Sequence, residues 1–384
     1  MTSAHLTFNY GERNICFTKA AGVWLTDSQQ HQWLDALCGI GVTSLGHCHP
    51  SVNNAIKAQI DALDHVSNLY HTPIQQLAAH KLCEVSQMSK VYFCNSGAEA
   101  NEAAIKLARL HGRAKRGHSG TLICFDGAFH GRTIGALSAT AKEAIKAPFA
   151  PLLADVKHLP FNDIEALEHA FSNDLEADAI LLELIQGESG VHLASERFIE
   201  TVKQLCLKHD LLLMIDEVQT GNSRTGQWFA YQHFSLKPDV VSTAKGLGNG
   251  FPVGATLVSE KARDLLYPGS HGSTYGGNPA ACAAICAVIE IVKKDQVHRN
   301  VEKQSKRLRE ALAQHPNVDY VEGLGMMLGV QLIKSINDLP QRFDQSKLLV
   351  NCISDTRIRL LPPLVISDTE LDELIARLYS ALDD

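Results

Sequence analysis

The sequence predicts an α/β protein with a mostly parallel central sheet, joined to a smaller α+β domain. Three observations predict it. Short, mostly apolar runs recur through the middle of the chain, helical patterns separate them, and the two flanks carry a different, mixed texture. Strands that are apolar throughout, not alternating, are buried on both faces. That is the signature of a parallel sheet covered by helices. The strand candidates are Val91–Cys94, Thr121–Phe125, Ala179–Leu184, Leu211–Ile215, Val240–Thr243 and Gly254–Val258. Helical patterns lie between them at Glu99–His111, Ile164–Phe171 and Glu196–His209.

Residues 17–37 read as a small antiparallel region. Ala280–Lys293 reads as an Ala-rich helix with Cys282 and Cys286 on one face, because side chains four apart stack on a helix. Leu324–Leu332, Arg357–Leu361 and a helical Asp368–Leu382 complete the smaller domain. The expected division is 1–55 and 280–384 for the small domain, with 56–279 as the large one.

Composition bounds the function. The 384 residues are 45% hydrophobic and 20% charged, ordinary values for a globular protein, and too many for one small core. A formal charge of −7 argues against nucleic-acid or anionic-membrane partners, which select concentrated basic surfaces. The N-terminal stretch Met1–Arg13 lacks the apolar run of a secretory signal, and no run approaches the roughly 18 apolar residues of a membrane helix. The ten cysteines include no Cys-x-x-Cys, and most sit in apolar surroundings, as expected for a reducing cytoplasm. His47-Cys-His49 lacks further ligands at zinc spacing and reads as a turn, so no metal is expected.

Chemistry concentrates where apolar runs end in glycine-containing turns. Leu211–Ile215 delivers Asp216, followed by Glu217-Val-Gln-Thr-Gly221. Val240–Thr243 delivers Lys245 within Ala244-Lys-Gly-Leu-Gly248. In open α/β sheets, binding sites form beyond the carboxyl ends of the strands. A carboxylate and an amine there suit a cofactor with a ring nitrogen at one end and an aldehyde at the other, which describes pyridoxal 5'-phosphate.

Other turns supply further parts. Asn95-Ser-Gly-Ala-Glu-Ala-Asn101 opens a helix, with Ser96 and Glu99 at capping-box spacing and Gly97 placed to let backbone amides approach a phosphate. Gly127-Ala-Phe-His-Gly-Arg-Thr133 offers Phe129 for stacking and Arg132 for a carboxylate. Gln186-Gly-Glu188 follows another strand, and Gly272-Ser-Thr-Tyr-Gly-Gly-Asn-Pro279 presents the Ser273 and Thr274 hydroxyls. Gly246-Leu-Gly-Asn-Gly250 lacks both the spacing and the early βαβ setting of a dinucleotide site.

These motifs, in this order and covering about residues 17–364, resemble the class III aminotransferases of the fold-type I pyridoxal phosphate enzymes. His65-Val-Ser-Asn-Leu-Tyr70 and Arg359-Leu-Leu-Pro-Pro-Leu364 are most similar to the branch acting on acetylornithine in arginine biosynthesis. Relatives acting on succinylornithine, ornithine or N-succinyl-diaminopimelate are alternative readings, as is an enzyme of this fold that does not transfer amines.

The resemblance implies roles residue by residue. Lys245 would carry the cofactor and act as base, and Asp216 would pair with the pyridine nitrogen. Phe129 would stack on the ring, Glu217, Val218 and Gln219 would complete the pocket, and Gly97 and Ala98 would bind phosphate. Thr274 would reach the phosphate in a neighbouring subunit, making a homodimer with shared sites. Arg132 and Ser273 would receive the distal carboxylate of acetylornithine. Arg359 would hold the α-carboxylate of glutamate or 2-oxoglutarate, with Glu188 as its alternative partner. Leu184, Ser189 and Asn222-Ser223 depart from the usual pattern.

Overall fold

Seven strands form the central sheet of the computed structural model, which describes residues 5–10, 15–172 and 175–383. Part of the N-terminal stretch read for a signal, residues 1–4 and 11–13, lies outside the described residues. In spatial order the strands are Lys90–Cys94, Gly254–Val258, Val240–Thr243, Leu212–Asp216, Ala177–Leu182, Thr121–Phe125 and Val156–Leu159. Gly254–Val258 runs antiparallel to both neighbours, and every other pairing is parallel.

Alternate residues of each strand enter different cores. Leu213 and Ile215 pack with Phe198 and Val202 of the helix Glu196–His209. Leu212 and Met214 pack with Ala104, Leu107 and Ala108 of the helix Gly97–Arg116. Both faces are therefore dry, which is why the strand reads as an unbroken apolar run.

Two differences from the sequence reading have local causes. The strand expected at Ala179–Leu184 spans Ala177–Leu182. It begins earlier because Asp178, polar in sequence, is buried in an ion pair with Arg116 and accepts the Gly120 N–H at 2.8 Å. Val156–Leu159 was not expected as a strand. It is an edge strand of four residues, two of them polar, held by one neighbour.

The chain ends share a second core. Val23, Leu34 and Ala36 pack with Leu328, Ile358, Leu360, Leu374 and Leu378. Gln32–Asp35 even pairs in parallel with Leu348–Leu349 across the length of the chain. The helix Pro279–Lys294 belongs to both cores. Its Cys282, Ile285, Cys286 and Ile289 face the central one, and Ala284, Ala287, Val288 and Ile291 face the terminal one. A boundary at residue 280 thus marks the start of a shared helix, and one at 55 falls inside the helix Pro50–Ala62. No helix among the described residues is long and apolar enough to cross a membrane.

Candidate active site

Asp216 and Lys245 are brought together by sheet register. Asp216 lies opposite Ser242 on the adjacent parallel strand, three residues before Lys245. Both line a cavity of about 430 Å³ that also takes in Gly97, Ala98, Phe129, Arg132, Val218 and Gln219. Lys245 occupies a left-handed backbone conformation, φ 48°, which L-residues adopt only under tertiary constraint.

Desolvation in the cavity holds the Lys245 amine below the ordinary lysine range, although the nearby Glu188 carboxylate pulls the other way. A lysine so placed loses its proton more readily than one in water, which suits a nucleophile or base.

Asp216 is oriented by three donors. Its Oδ2 accepts from Asn101 Nδ2 at 2.8 Å and His130 Nδ1 at 2.7 Å, and its Oδ1 accepts the Val218 N–H at 2.9 Å. Asn101 also donates to the His130 carbonyl at 2.7 Å, and the His130 N–H donates to Thr140 Oγ1 at 2.9 Å. Burial would depress the His130 imidazole, but its bond to Asp216 and that carboxylate's charge outweigh it, and the net shift is upward. Asn101 and His130 both stand inside segments quoted for other reasons. The signal available was their type within those motifs; their separations of 115 and 86 residues from Asp216 hide the contact.

Glu183 is a further cavity residue that sequence reasoning passed over. Its Oε2 accepts the Phe129 N–H at 3.0 Å, fixing the aromatic residue from behind. Burial lifts its carboxyl to about 7. Arg132 is exposed and lies over the Phe129 ring, 5.4 Å from guanidinium carbon to centroid.

The helix beginning at Gly97 has the expected cap. Ser96 Oγ accepts the Glu99 N–H at 3.2 Å, and Glu99 Oε2 accepts the Asn95 N–H at 2.7 Å. A Cβ on Gly97 would stand 2.7 Å from Val218 Cγ1, so only glycine permits this close passage. The helix N-terminus then faces the cavity with unbonded amides, a seat for an anion.

Arg359 and Glu188, 171 residues apart, form an ion pair at 2.7 Å. Arg359 is fully buried, and its Nη1 also donates to Gln219 Oε1 at 3.2 Å, so the pair lies one side chain behind the cavity wall. Burial would raise the Glu188 carboxyl, but Arg359 reverses that and lowers it.

Three expected site residues sit elsewhere. Glu217 points into the core, where it accepts the Tyr231 N–H at 2.9 Å and the Thr220 hydroxyl at 2.5 Å. Successive residues of an extended segment face opposite ways, so Glu217 turns its back on a cavity that Asp216 and Val218 enter. Ser273 Oγ accepts from the Gly276 N–H at 2.9 Å and from Asn95 Nδ2 at 3.2 Å, closing its own turn. Thr274 is exposed. Neither hydroxyl lines the cavity of the single chain. His47, from the metal-like cluster, bonds Asp35 Oδ2 at 2.7 Å, and His49 precedes the helix Pro50–Ala62.

Burial raises the Glu217 carboxyl to about 7. The folded state therefore holds this proton more tightly than the unfolded chain does. The associated stability is present below the ordinary glutamate range and is lost as pH rises toward 7. Over that span the loss is on the order of 3 kcal/mol. Replacing Glu217 by Gln should flatten the fall of thermal stability between pH 5 and 8; an unchanged pH profile would contradict this.

An amine of lowered basicity, a fixed carboxylate and a glycine-bounded helix N-terminus around one cavity fit the aldehyde, pyridine nitrogen and phosphate of pyridoxal phosphate. Fold and site together define a fold-type I pyridoxal phosphate enzyme. Within that class, the chain belongs to the Aminotransferase class-III family, whose model matches residues 7–382. It is 42% identical over 377 residues to acetylornithine aminotransferase 1 of Bordetella pertussis, covering 97% of this chain and 96% of that one. It is 43% identical over 380 residues to the acetylornithine aminotransferase of Aquifex aeolicus, covering 98% and 100%. Among solved structures it resembles the acetylornithine aminotransferase of Elizabethkingia anophelis, with TM-score 0.86, 28% identity and coverage of 98% and 96%. The ornithine aminotransferase of Toxoplasma gondii, described with partial occupancy of pyridoxal phosphate at its active site, superposes with TM-score 0.92, 28% identity and coverage of 97% and 91%.

Proposed function

We propose that the chain transfers the side-chain amino group of N2-acetyl-L-ornithine to 2-oxoglutarate, yielding N-acetyl-L-glutamate 5-semialdehyde and L-glutamate, a step of arginine biosynthesis. The observation that carries this reading is the Arg359–Glu188 pair, one side chain from the cavity that holds Lys245. Relatives near 42% identity bear the same substrate in their names.

Bound pyridoxal phosphate supplies the aldehyde that takes up the amine and a protonated ring that withdraws electrons from the reacting carbon. The chain does the rest. Gly97 and Ala98 would offer amides to the phosphate, and Asp216, held by Asn101 and His130, would keep a proton on the ring nitrogen. Val218, Gln219 and Phe129, which line the cavity, would bound the ring. Lys245, its basicity lowered by desolvation, would take the proton from the substrate carbon that bears the amine.

Two half-reactions need two substrate-binding states. With acetylornithine bound, Glu188 neutralises Arg359, and the distal carboxylate meets Arg132 at the cavity mouth. With glutamate or 2-oxoglutarate bound, Glu188 yields, and Arg359 pairs with the α-carboxylate. An arginine whose charge is masked or free in turn lets one pocket accept both.

The active unit in this reading is a homodimer, with Thr274 facing the partner's pocket and Ser273 contributing to the carboxylate site. The exposed Leu69, Tyr70 and Tyr275 support a covered face beside Thr274; Leu69 is 84% accessible in the single chain. The setting is the cytoplasm, in keeping with ten unpaired cysteines.

A substrate panel with 2-oxoglutarate tests the function. Acetylornithine should be preferred over succinylornithine, ornithine and 4-aminobutyrate, and absence of glutamate formation from any of them would end the proposal. Arg132→Ala should raise KM for acetylornithine about 10- to 100-fold, the loss of one charge-assisted pair. An equal effect on amines without a carboxylate would count against its role.

A further inference from the structure

Asn222 lies in the loop that follows Asp216, close to the turn that carries Lys245. It is buried and holds a left-handed backbone, φ 56°, a region that asparagine tolerates better than most residues. Its Nδ2 donates to Thr243 Oγ1 at 3.0 Å and to the Ala244 carbonyl at 3.1 Å. Ala244 immediately precedes Lys245. The same carbonyl accepts the Leu247 N–H at 2.9 Å, closing the turn that holds Lys245 in its own left-handed conformation.

Space around that turn is equally constrained. A Cβ on Gly246 would lie 2.7 Å from Ser44 Oγ and 3.3 Å from Asn222 Cβ. On the other side the loop is tied to the terminal core. Ser223, also left-handed at φ 73°, shares a 2.9 Å hydrogen bond with His298 Nε2, and Arg224 Nη1 donates to the Pro362 and Met326 carbonyls. The loop that starts at Asp216 is anchored at one end and grips the Lys245 turn through a single amide.

We propose that Asn222 is a positioning residue for Lys245, its amide setting the Ala244–Lys245 peptide from which the reactive amine projects. Asn222 does not line the cavity, so it acts through Lys245 and not on substrate. Both amide hydrogens go to the lysine-bearing segment, which a residue serving loop stability alone would not require. This inference rests on the aminotransferase reading for its activity arm only.

Asn222→Gly separates the roles, because glycine accepts the left-handed backbone without strain and removes only the amide. Its kcat should fall on the order of 10- to 100-fold, with KM for acetylornithine within about twofold, the pattern of a misplaced reacting group. The pH midpoint of the visible absorption change of the substrate-free, cofactor-loaded protein should also move by about half a unit or more. Asn222→Asp, which keeps the shape but sets a carboxylate against the Ala244 carbonyl, should shift both quantities in a protein whose circular dichroism matches the parent. Wild-type kcat and an unmoved midpoint in either folded variant would overturn the proposal. A wild-type protein inactive on acetylornithine would instead sink the substrate reading, and the absorbance midpoint would still decide Asn222.

Discussion

Lys245→Ala should abolish transamination, lowering kcat by at least on the order of 10⁴-fold. General-base catalysis alone supplies about 10²–10⁴, and in the proposed function the same residue would also carry the cofactor. Lys245 is the lysine of the cavity that Asp216 enters, so no other side chain there replaces its amine. The variant should fold, since Lys245 accepts no place in the core clusters and alanine adds no bulk. Its thermal midpoint checks that. A folded Lys245→Ala protein turning over at the normal rate would remove the central assignment.

Asp216→Ala should cost about 10²- to 10³-fold in kcat, the magnitude seen when a preorganised charge at a reacting centre is removed. In the proposed function the carboxylate would hold a proton on the ring nitrogen, and Asn101, His130 and the Val218 amide orient it. Its loss also leaves those three donors facing a void. Each buried, unpaired donor costs about 1–3 kcal/mol, so the variant should melt earlier as well. Activity at saturating pyridoxal phosphate, in protein shown to be folded, separates the two effects. An unaltered kcat under those conditions would contradict the role given to Asp216.

Much of the fold was legible because burial on both faces leaves a plain mark. Thr121–Phe125, Val240–Thr243 and Gly254–Val258 are apolar runs bounded by turn residues, and they are strands over those same spans. Ile164–Phe171 and Glu196–His209 likewise are helices over the expected spans, and the structure caps them with Asp163 and Ser195, each accepting from the first helical turn. Legibility failed where a residue's partner lay outside its own segment. The strand expected from Ala179 begins before Asp178, a polar residue buried only because Arg116 is beside it. The resemblance places Glu217 in the pocket, yet the alternation of an extended chain sends it to Tyr231 and Thr220.

The sequence by itself determined that Asp216 and Lys245 end adjacent apolar segments, that Gly97 opens a capped helix, and that the motifs follow one another in a family's order. Those features are local: a few contiguous residues and their hydrophobic pattern carry them. Only the tertiary structure decided what surrounds the reactive groups. It brings Asn101 and His130 onto Asp216, seats Arg359 against Glu188, turns Ser273 toward its own backbone and hangs the Lys245 turn on Asn222. Each of these is a hydrogen bond or ion pair set by how strands and loops pack. A one-residue change of facing breaks it, and adjacency in the chain carries no record of it.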